Sequence, residues 1–483
     1  MSLKRNTIYN LCGSIAPMFV SLVTVPAYLH LIGDARYGVL AIVWLFLGYF
    51  GLFDPGITRA ATFHIARLHA PDQVRERESV FWTALLVNVT FGIVGGVIVY
   101  FAARPFFMST FKMPESMRGE VMASLPWLAA SVPVSIVTGV LGGALQAREW
   151  FGVFNAINVA NATVSQLAPL AVAFCHGPDL AWLIPAVLVT RAVGAIPTFI
   201  VLARALPLGA GGGFDSSRLK ALFSYGGWIS VTNVMGPLLS TMDRMMIGSL
   251  FSAEAVAFYT VPFNLVSRAS VIPGALTASL FPKLSRSSQE HSAQLASDAV
   301  AALAAVMTPI FVLTIAALPV FMRHWVGAGF AGHAAPLGII LLVGVWVNGL
   351  AYVPYGQLQA SGRPDIPAKF HAAELIPFLG ILWLGLHYFG LVGAAYAWSL
   401  RVAVDALLLF RAGGRIPRWH RLIPGGLMVI LAGCSAPTFV LSVKTAYELG
   451  LLVAASIWSW HLSPAIRSVV RGRLKVPSIR SAV

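Results

Sequence analysis

The sequence predicts an all-α polytopic membrane protein, and three observations carry that prediction. Only 11% of the 483 residues are charged, against about 25% in an ordinary soluble domain. The mean hydropathy is +0.79. The apolar residues gather in blocks of about 20, the length a helix needs to cross a bilayer. A transmembrane β-barrel would instead show alternating segments of about ten residues.

About fourteen such segments follow one another: residues 7–32, 38–64, 79–103, 121–145, 152–175, 180–203, 222–248, 257–280, 298–322, 335–360, 369–388, 391–410, 422–441 and 447–462. The last is short but still able to span. The first has the basic start and apolar run of a secretory signal. Polar residues interrupt that run and no small-residue cleavage site follows, so it reads as an uncleaved span. An even number of spans puts both termini on one side. Of the 33 Lys and Arg, 22 fall on the side of the N-terminus, six on the other and five within spans. The positive-inside rule makes the first side cytoplasmic. The basic tail, from Arg467 to Arg480, is then a topology anchor against anionic lipid.

The net charge of +15 is spread over short loops, which excludes nucleic acid as a partner. Cys12, Cys175 and Cys434 lie far apart in apolar segments and suggest neither a disulfide framework nor a metal site. No cofactor motif is present. Two N-x-T triplets, at Asn88 and Asn161, fall inside spans and read as chance matches.

No loop is large enough to be a domain. The stretch "LGAGGGFDSSR" reads as a flexible cytoplasmic linker over 207–221. It would separate a six-helix lobe, 1–206, from a second, 222–412, with two added helices and the tail over 413–483. Transporters are often built from such repeats around a central cavity. Weak internal similarity supports the division. The first span carries Thr7, Asn10, Ser14, Pro17, Ser21, Thr24 and Tyr28 in steps of three and four, which places them on one helix face. The seventh repeats the pattern with Ser230, Asn233, Pro237, Ser240 and Arg244. Such stripes serve either helix packing or the wall of a water-filled cavity. Asn10, the mid-helix proline and Tyr28 favour the cavity, because a freed backbone carbonyl needs water or a partner.

Nine charges lie within spans: Asp54, Arg59, Arg191, Asp243, Arg244, Arg268, Glu374, Arg401 and Asp405. Each costs about 2.5–3.5 kcal/mol at a helix centre, so they must be paired or hydrated. Arg401 and Asp405, four residues apart, are expected to form a structural ion pair. Asp243 and Arg244 are expected to pair with each other's neighbours, and Glu374 to reach the membrane interface. Arg268 differs. It lies about eleven residues into its span, with Asn264 one turn away and no acid near it in sequence.

Arg268, Arg59, Arg191 and Arg244 are therefore the candidate cationic substrate site. Asn10, Ser14, Ser21, Thr24, Tyr28, Asn233 and Asn264 are the candidate cavity wall. Asp54, Asp243, Glu374, Arg401 and Asp405 are candidates for coupling or charge pairing. A cationic cavity calls for an anionic ligand, since guanidinium matches phosphate. Tyr28, Tyr37, Trp44 and Tyr49 either stack on sugars or form an interfacial aromatic belt.

The stretch "YLHLIGDARYGVLAIVWLFLGYFGLFDPGITRAATFHIAR" resembles the polysaccharide transporter family, the O-antigen-type flippases of the multidrug/oligosaccharidyl-lipid/polysaccharide exporter superfamily. The "IG…RYG" turn and "FGLFDPG" carry the resemblance. A second match is "DRMMIGSLFSAEAVAFYTVPFNLV…FPKLS". Pro55 departs from the family, which usually has an aliphatic residue there. The resemblance implies a two-lobed fold with a central cavity in a bacterial inner membrane. It also implies a substrate, an oligosaccharide on undecaprenyl pyrophosphate, moved from the inner to the outer leaflet, with a glycan polymerase or assembly machinery as partner.

Two other classes compete. A drug/cation antiporter of the same superfamily should hold acids in its cavity, yet the first six spans offer only Asp54 against Arg59 and Arg191. A membrane glycan polymerase or ligase should place a larger loop outside than 104–120. The sequence holds no nucleophile–base arrangement and no Gly-rich phosphate loop, so no enzyme is predicted.

Overall fold

The computed structural model describes residues 3–49, 53–54, 56–68, 71–206, 209, 211–219, 222, 238–414, 419–434, 441–463 and 467. Every long element among them is helical. Among the described residues nine helices are long and apolar enough to cross a membrane, and the chain is a multi-pass all-α membrane protein. The residues fall into two compact units, 1–260 and 261–483.

The first helix, α1 (Leu3–Tyr49), is two helices joined across Gly33, whose φ of 76° and ψ of 166° are not helical. Only glycine takes that backbone without strain, and it separates the first expected span from the second. The second does not continue to residue 64. Helix α2 (Ile57–Arg67) starts anew after a break. Asp54 precedes Pro55, and the residue before proline is pushed out of the α region. The Asp54 carboxylate accepts the Thr58 N–H at 3.3 Å, satisfying the first turn of α2. The intramembrane Asp54 of the sequence reading is therefore a helix-start residue.

Helices α3 (Val74–Pro105), α4 (Glu115–Ala147), α5 (Phe151–His176) and α6 (Leu180–Ala205) complete the long helices of the first unit. Small residues let α3 and α4 approach closely. A Cβ at Gly92 would lie 2.8 Å from Pro133 Cα, and one at Gly96 would lie 2.7 Å from the Ala129 carbonyl oxygen. A hydrophobic core of this unit gathers Ile57, Ile65, Phe81, Leu141, Leu145 and Leu202. Both N-x-T asparagines serve packing here. Asn88 donates to Thr58 Oγ1 at 3.3 Å, and Asn161 to the Gly194 carbonyl at 3.0 Å.

The glycine-rich linker is not a loose tether where it is described. The Glu78 carboxylate, buried on α3, accepts N–H groups from Gly209 (2.6 Å) and Gly212 (2.9 Å) and the Trp82 indole N–H (3.2 Å). Arg218 bridges to Glu76 at 3.1 Å, and Asp215 donates its N–H to Thr83. The Ser217 hydroxyl and N–H hold the Asp215 carboxyl below the usual carboxylate range. Glycine supplies bare N–H groups that a single carboxylate gathers.

Helix α7 (238–250) and the start of α8 (Ala253–Ser267) belong to the first unit. Lys112 binds that corner: its N–H donates to the Gly248 carbonyl (2.8 Å), its carbonyl accepts from Ala253, and its ammonium donates to the Leu250 carbonyl (2.7 Å). The compact unit thus extends past the 207–221 seam.

The second unit continues with α9 (Val271–Arg286), α10 (Gln289–Val326), α11 (Ala328–Ala360) and α12 (Asp365–Ala412). Helix α12 folds on itself at Gly390 (φ 60°, ψ −143°). The two halves touch where Gly385 meets Gly393, since a Cβ on Gly393 would lie 1.9 Å from the Gly385 oxygen. Helices α13 (Trp419–Gly433) and α14 (Leu441–Leu462) close the described chain and are not among the nine long apolar helices.

Candidate functional site

Helix α8 stops at Ser267 and a single 3₁₀ turn, Arg268–Ser270, leads into α9. The cause is local. Pro273 has no N–H to give the Ala269 carbonyl, so the α-helical ladder cannot run straight through. The interruption lies beside a cavity of about 430 Å³ lined by Asn264, Ser267, Arg268, Ser270, Gly274 and Tyr352. Ser267 Oγ donates to the Asn264 backbone carbonyl at 3.2 Å, and Asn264 is exposed.

The described ion pairs of this unit join Lys369 to Asp365, His371 to Asp405, Arg401 to Glu374 and Lys444 to Glu448. None includes Arg268. Half-buried Arg268 borders open space in a cavity that hydroxyls and an amide also line. A fixed positive charge with five donors and no described carboxylate is suited to an oxyanion.

The other predicted arginines stand differently. Arg244 is sealed in the first unit at 2% exposure. Its Nη1 lies 3.0 Å from Asp243 Oδ1 and also donates to the Ser240 carbonyl, while its guanidinium sits 5.7 Å from the Tyr259 ring centre. Adjacent residues pair directly here, where pairing with neighbours was expected. Burial makes Arg244 a structural cation with no open face for a ligand. Arg191 donates to the Leu47 carbonyl at 3.1 Å, near the end of α1. Arg59 is exposed on α2.

The expected Arg401–Asp405 pair does not form. Gly390 folds the first half of α12 back along the second, which offers each residue a nearer partner. Arg401 Nη1 meets Glu374 Oε2 at 3.7 Å and Asp405 Oδ1 meets His371 Nε2 at 3.6 Å. Glu374 is buried rather than reaching an interface.

The polar stripe of α1 turns inward at its far end. Thr24 Oγ1 lies 3.1 Å from Gln166 Oε1 and Tyr28 donates to the Gln166 carbonyl at 2.5 Å. These two residues pack on α5, and Phe19 and Val23 occupy the exposed face. Ser21 donates to its own helix at the Met18 carbonyl. Asn233 and the side chains of Asn10 and Ser14 lie outside the described residues. The aromatic residues close on one another. Tyr28 and Trp44 meet edge to face at 5.3 Å, with Tyr37 6.1 Å from Trp44. Both tyrosines are buried, so these rings offer no face to a sugar. The side chain of Tyr49 is outside the described residues.

Sequence reasoning missed Tyr352, which reaches the Arg268 cavity from α11, more than eighty positions away. It also missed Gln166 and Glu78. A glutamine in an apolar span was a legible signal, because its amide requires a partner there.

The model of the polysaccharide biosynthesis protein family matches residues 3–288. The chain belongs to this family. Among its relatives is the "Putative O-antigen transporter" of Shigella flexneri, 26% identical over 85% of this chain and 97% of that protein. Another is the "Probable low-salt glycan biosynthesis flippase Agl15" of Haloferax volcanii, 26% identical over 39% of this chain and 41% of that protein. In fold, this polysaccharide biosynthesis protein is similar to the lipid II flippase MurJ in an inward closed conformation. The TM-score is 0.70 over 95% of this chain and 100% of that one, at 12% identity.

Proposed function

We propose that this protein is a flippase for lipid-linked glycans. It would carry an oligosaccharide on a polyprenyl pyrophosphate, undecaprenyl in a bacterium, from the cytoplasmic to the periplasmic leaflet of the inner membrane by alternating access. Membership in the polysaccharide biosynthesis family and the likeness to a putative O-antigen transporter and a probable glycan biosynthesis flippase support the class. The observation that carries the substrate is Arg268. An arginine inside apolar helices costs about 2.5–3.5 kcal/mol, and this one borders an open cavity and joins none of the described ion pairs. A pyrophosphate diester supplies the missing negative charge during passage. An inside-negative potential favours outward movement of that anion by about 2.3 kcal/mol per charge per 100 mV.

The charge distribution supports cytoplasmic termini, which places the basic tail among anionic lipids. A reporter fused after residue 483 that read as periplasmic would overturn that orientation. The flippase reading is tested in cells from which the protein is removed. Lipid-linked glycan should accumulate with its sugars shielded from a periplasmic glycosidase, and restoring the protein should make them susceptible. Equal susceptibility with and without the protein would sink the proposal.

A further inference from the structure

We infer that Tyr352 is a specificity-determining residue, the platform on which the sugar next to the phosphate stacks while Arg268 holds the phosphate. The inference rests on the flippase reading and adds to it the part of the glycan that the cavity reads.

Three observations converge. First, the cavity chemistry is that of a sugar site. One aromatic ring, one amide and two hydroxyl side chains line the cavity together with the guanidinium, and Val271 and Gly274 complete it. A pyranose has an apolar C–H face, weakly positive, and a rim of hydroxyls. The C–H face matches the negative face of an aromatic ring, and the rim matches Asn264, Ser267 and Ser270.

Second, among the described residues Tyr28, Tyr37 and Tyr355 are already engaged. Tyr28 and Tyr37 are packed into Trp44. Tyr355, one turn along α11, stacks on His371 with the ring planes 17° apart. Tyr352 stacks on no ring among the described residues and is partly exposed at the cavity. Gly274 keeps the space beside it clear, since the nearest atom to a Cβ built there is Tyr352 Cε1, at 3.8 Å.

Third, the cavity is small and wide open. About 430 Å³ lies at the lower end of the range of about 300–1,000 Å³ for single-ligand sites. Its lining can contact a phosphate and one ring, and its open side leaves further sugars outside. Discrimination at this cavity therefore concerns the first sugar, and the remaining sugars of the unit are not read there.

The test is a binding comparison on the full chain in lipid nanodiscs. The two probes are undecaprenyl pyrophosphate and undecaprenyl pyrophosphate carrying a single N-acetylglucosamine. The wild type should bind the sugar-bearing probe about three- to tenfold more tightly, the range expected of one aromatic stacking contact. Tyr352→Leu should remove that preference, read as the ratio of the two affinities, and Tyr352→Phe should keep most of it. If Tyr352→Leu does not fold, Gly274→Leu must remove the same preference by filling the space beside the ring. No preference in the wild type, or a preference that survives in the leucine variant, overturns the role of Tyr352. Sugar-free binding that depends on Arg268 would then leave the flippase reading standing. If the wild type binds neither probe, both readings fall.

Discussion

The guanidinium of Arg401 lies 3.7 Å from the carboxylate of Glu374, across the hairpin that Gly390 folds into α12. Both side chains are largely buried, at 15% and 7% exposure. Removing one member strands the other charge in a low-dielectric interior, which typically costs about 3–5 kcal/mol. Arg401→Gln should therefore lower membrane abundance several-fold. Adding Glu374→Gln should recover most of that loss, because two neutral amides leave no unpaired charge. Immunoblots of the single and double variants check this. A double variant as scarce as Arg401→Gln alone would show that the pair does not act as a unit.

Glu78 makes a second checkable claim. Its carboxylate holds two glycine N–H groups of the segment between the sixth and seventh spans. Glu78→Ala leaves those donors unsatisfied, at about 1–3 kcal/mol each if they stay buried, so the segment should come away from α3. Protease cleavage between 209 and 219 should quicken by tenfold or so. An unchanged rate would mean that the Arg218–Glu76 bridge is enough to hold it.

Much of the fold was legible because apolar length is a strong signal. Where their residues are described, the expected segments fall on helices apart from the break near Asp54, and Gly33 and Gly390 mark the two places where adjoining helices run together. The break at Asp54 was legible only in part, since Pro55 pointed to it while the apolar run continued. Partners across helices were not legible. Arg401 looked paired with Asp405 by spacing alone, and only the turn at Gly390 brings Glu374 within reach. For the same reason Tyr352 had no local mark, whereas Arg268 stood out as a charge without a nearby acid.

The stripe on α1 yields a labelling prediction. Thr24 and Tyr28 bond to Gln166, and Phe19 and Val23 face outward. In detergent, and in a background lacking native cysteines, Phe19→Cys should react readily with a thiol reagent and Thr24→Cys should react slowly. Tyr28→Phe should reduce stability by about 1 kcal/mol through loss of one hydrogen bond. Rapid labelling at Thr24→Cys would contradict the α1–α5 contact.

The central claim is that the charge of Arg268 carries the substrate, and export measured against membrane protein level tests it most directly. Arg244→Ala should lower abundance, because it unpairs the buried Asp243. Arg268→Ala should leave abundance near that of the wild type, since Arg268 belongs to none of the described ion pairs. Per unit of protein, Arg268→Ala and Arg268→Gln should lose most export of the lipid-linked glycan, while Arg268→Lys keeps part by keeping the charge. Export by Arg268→Ala equal to that of the wild type would contradict the account.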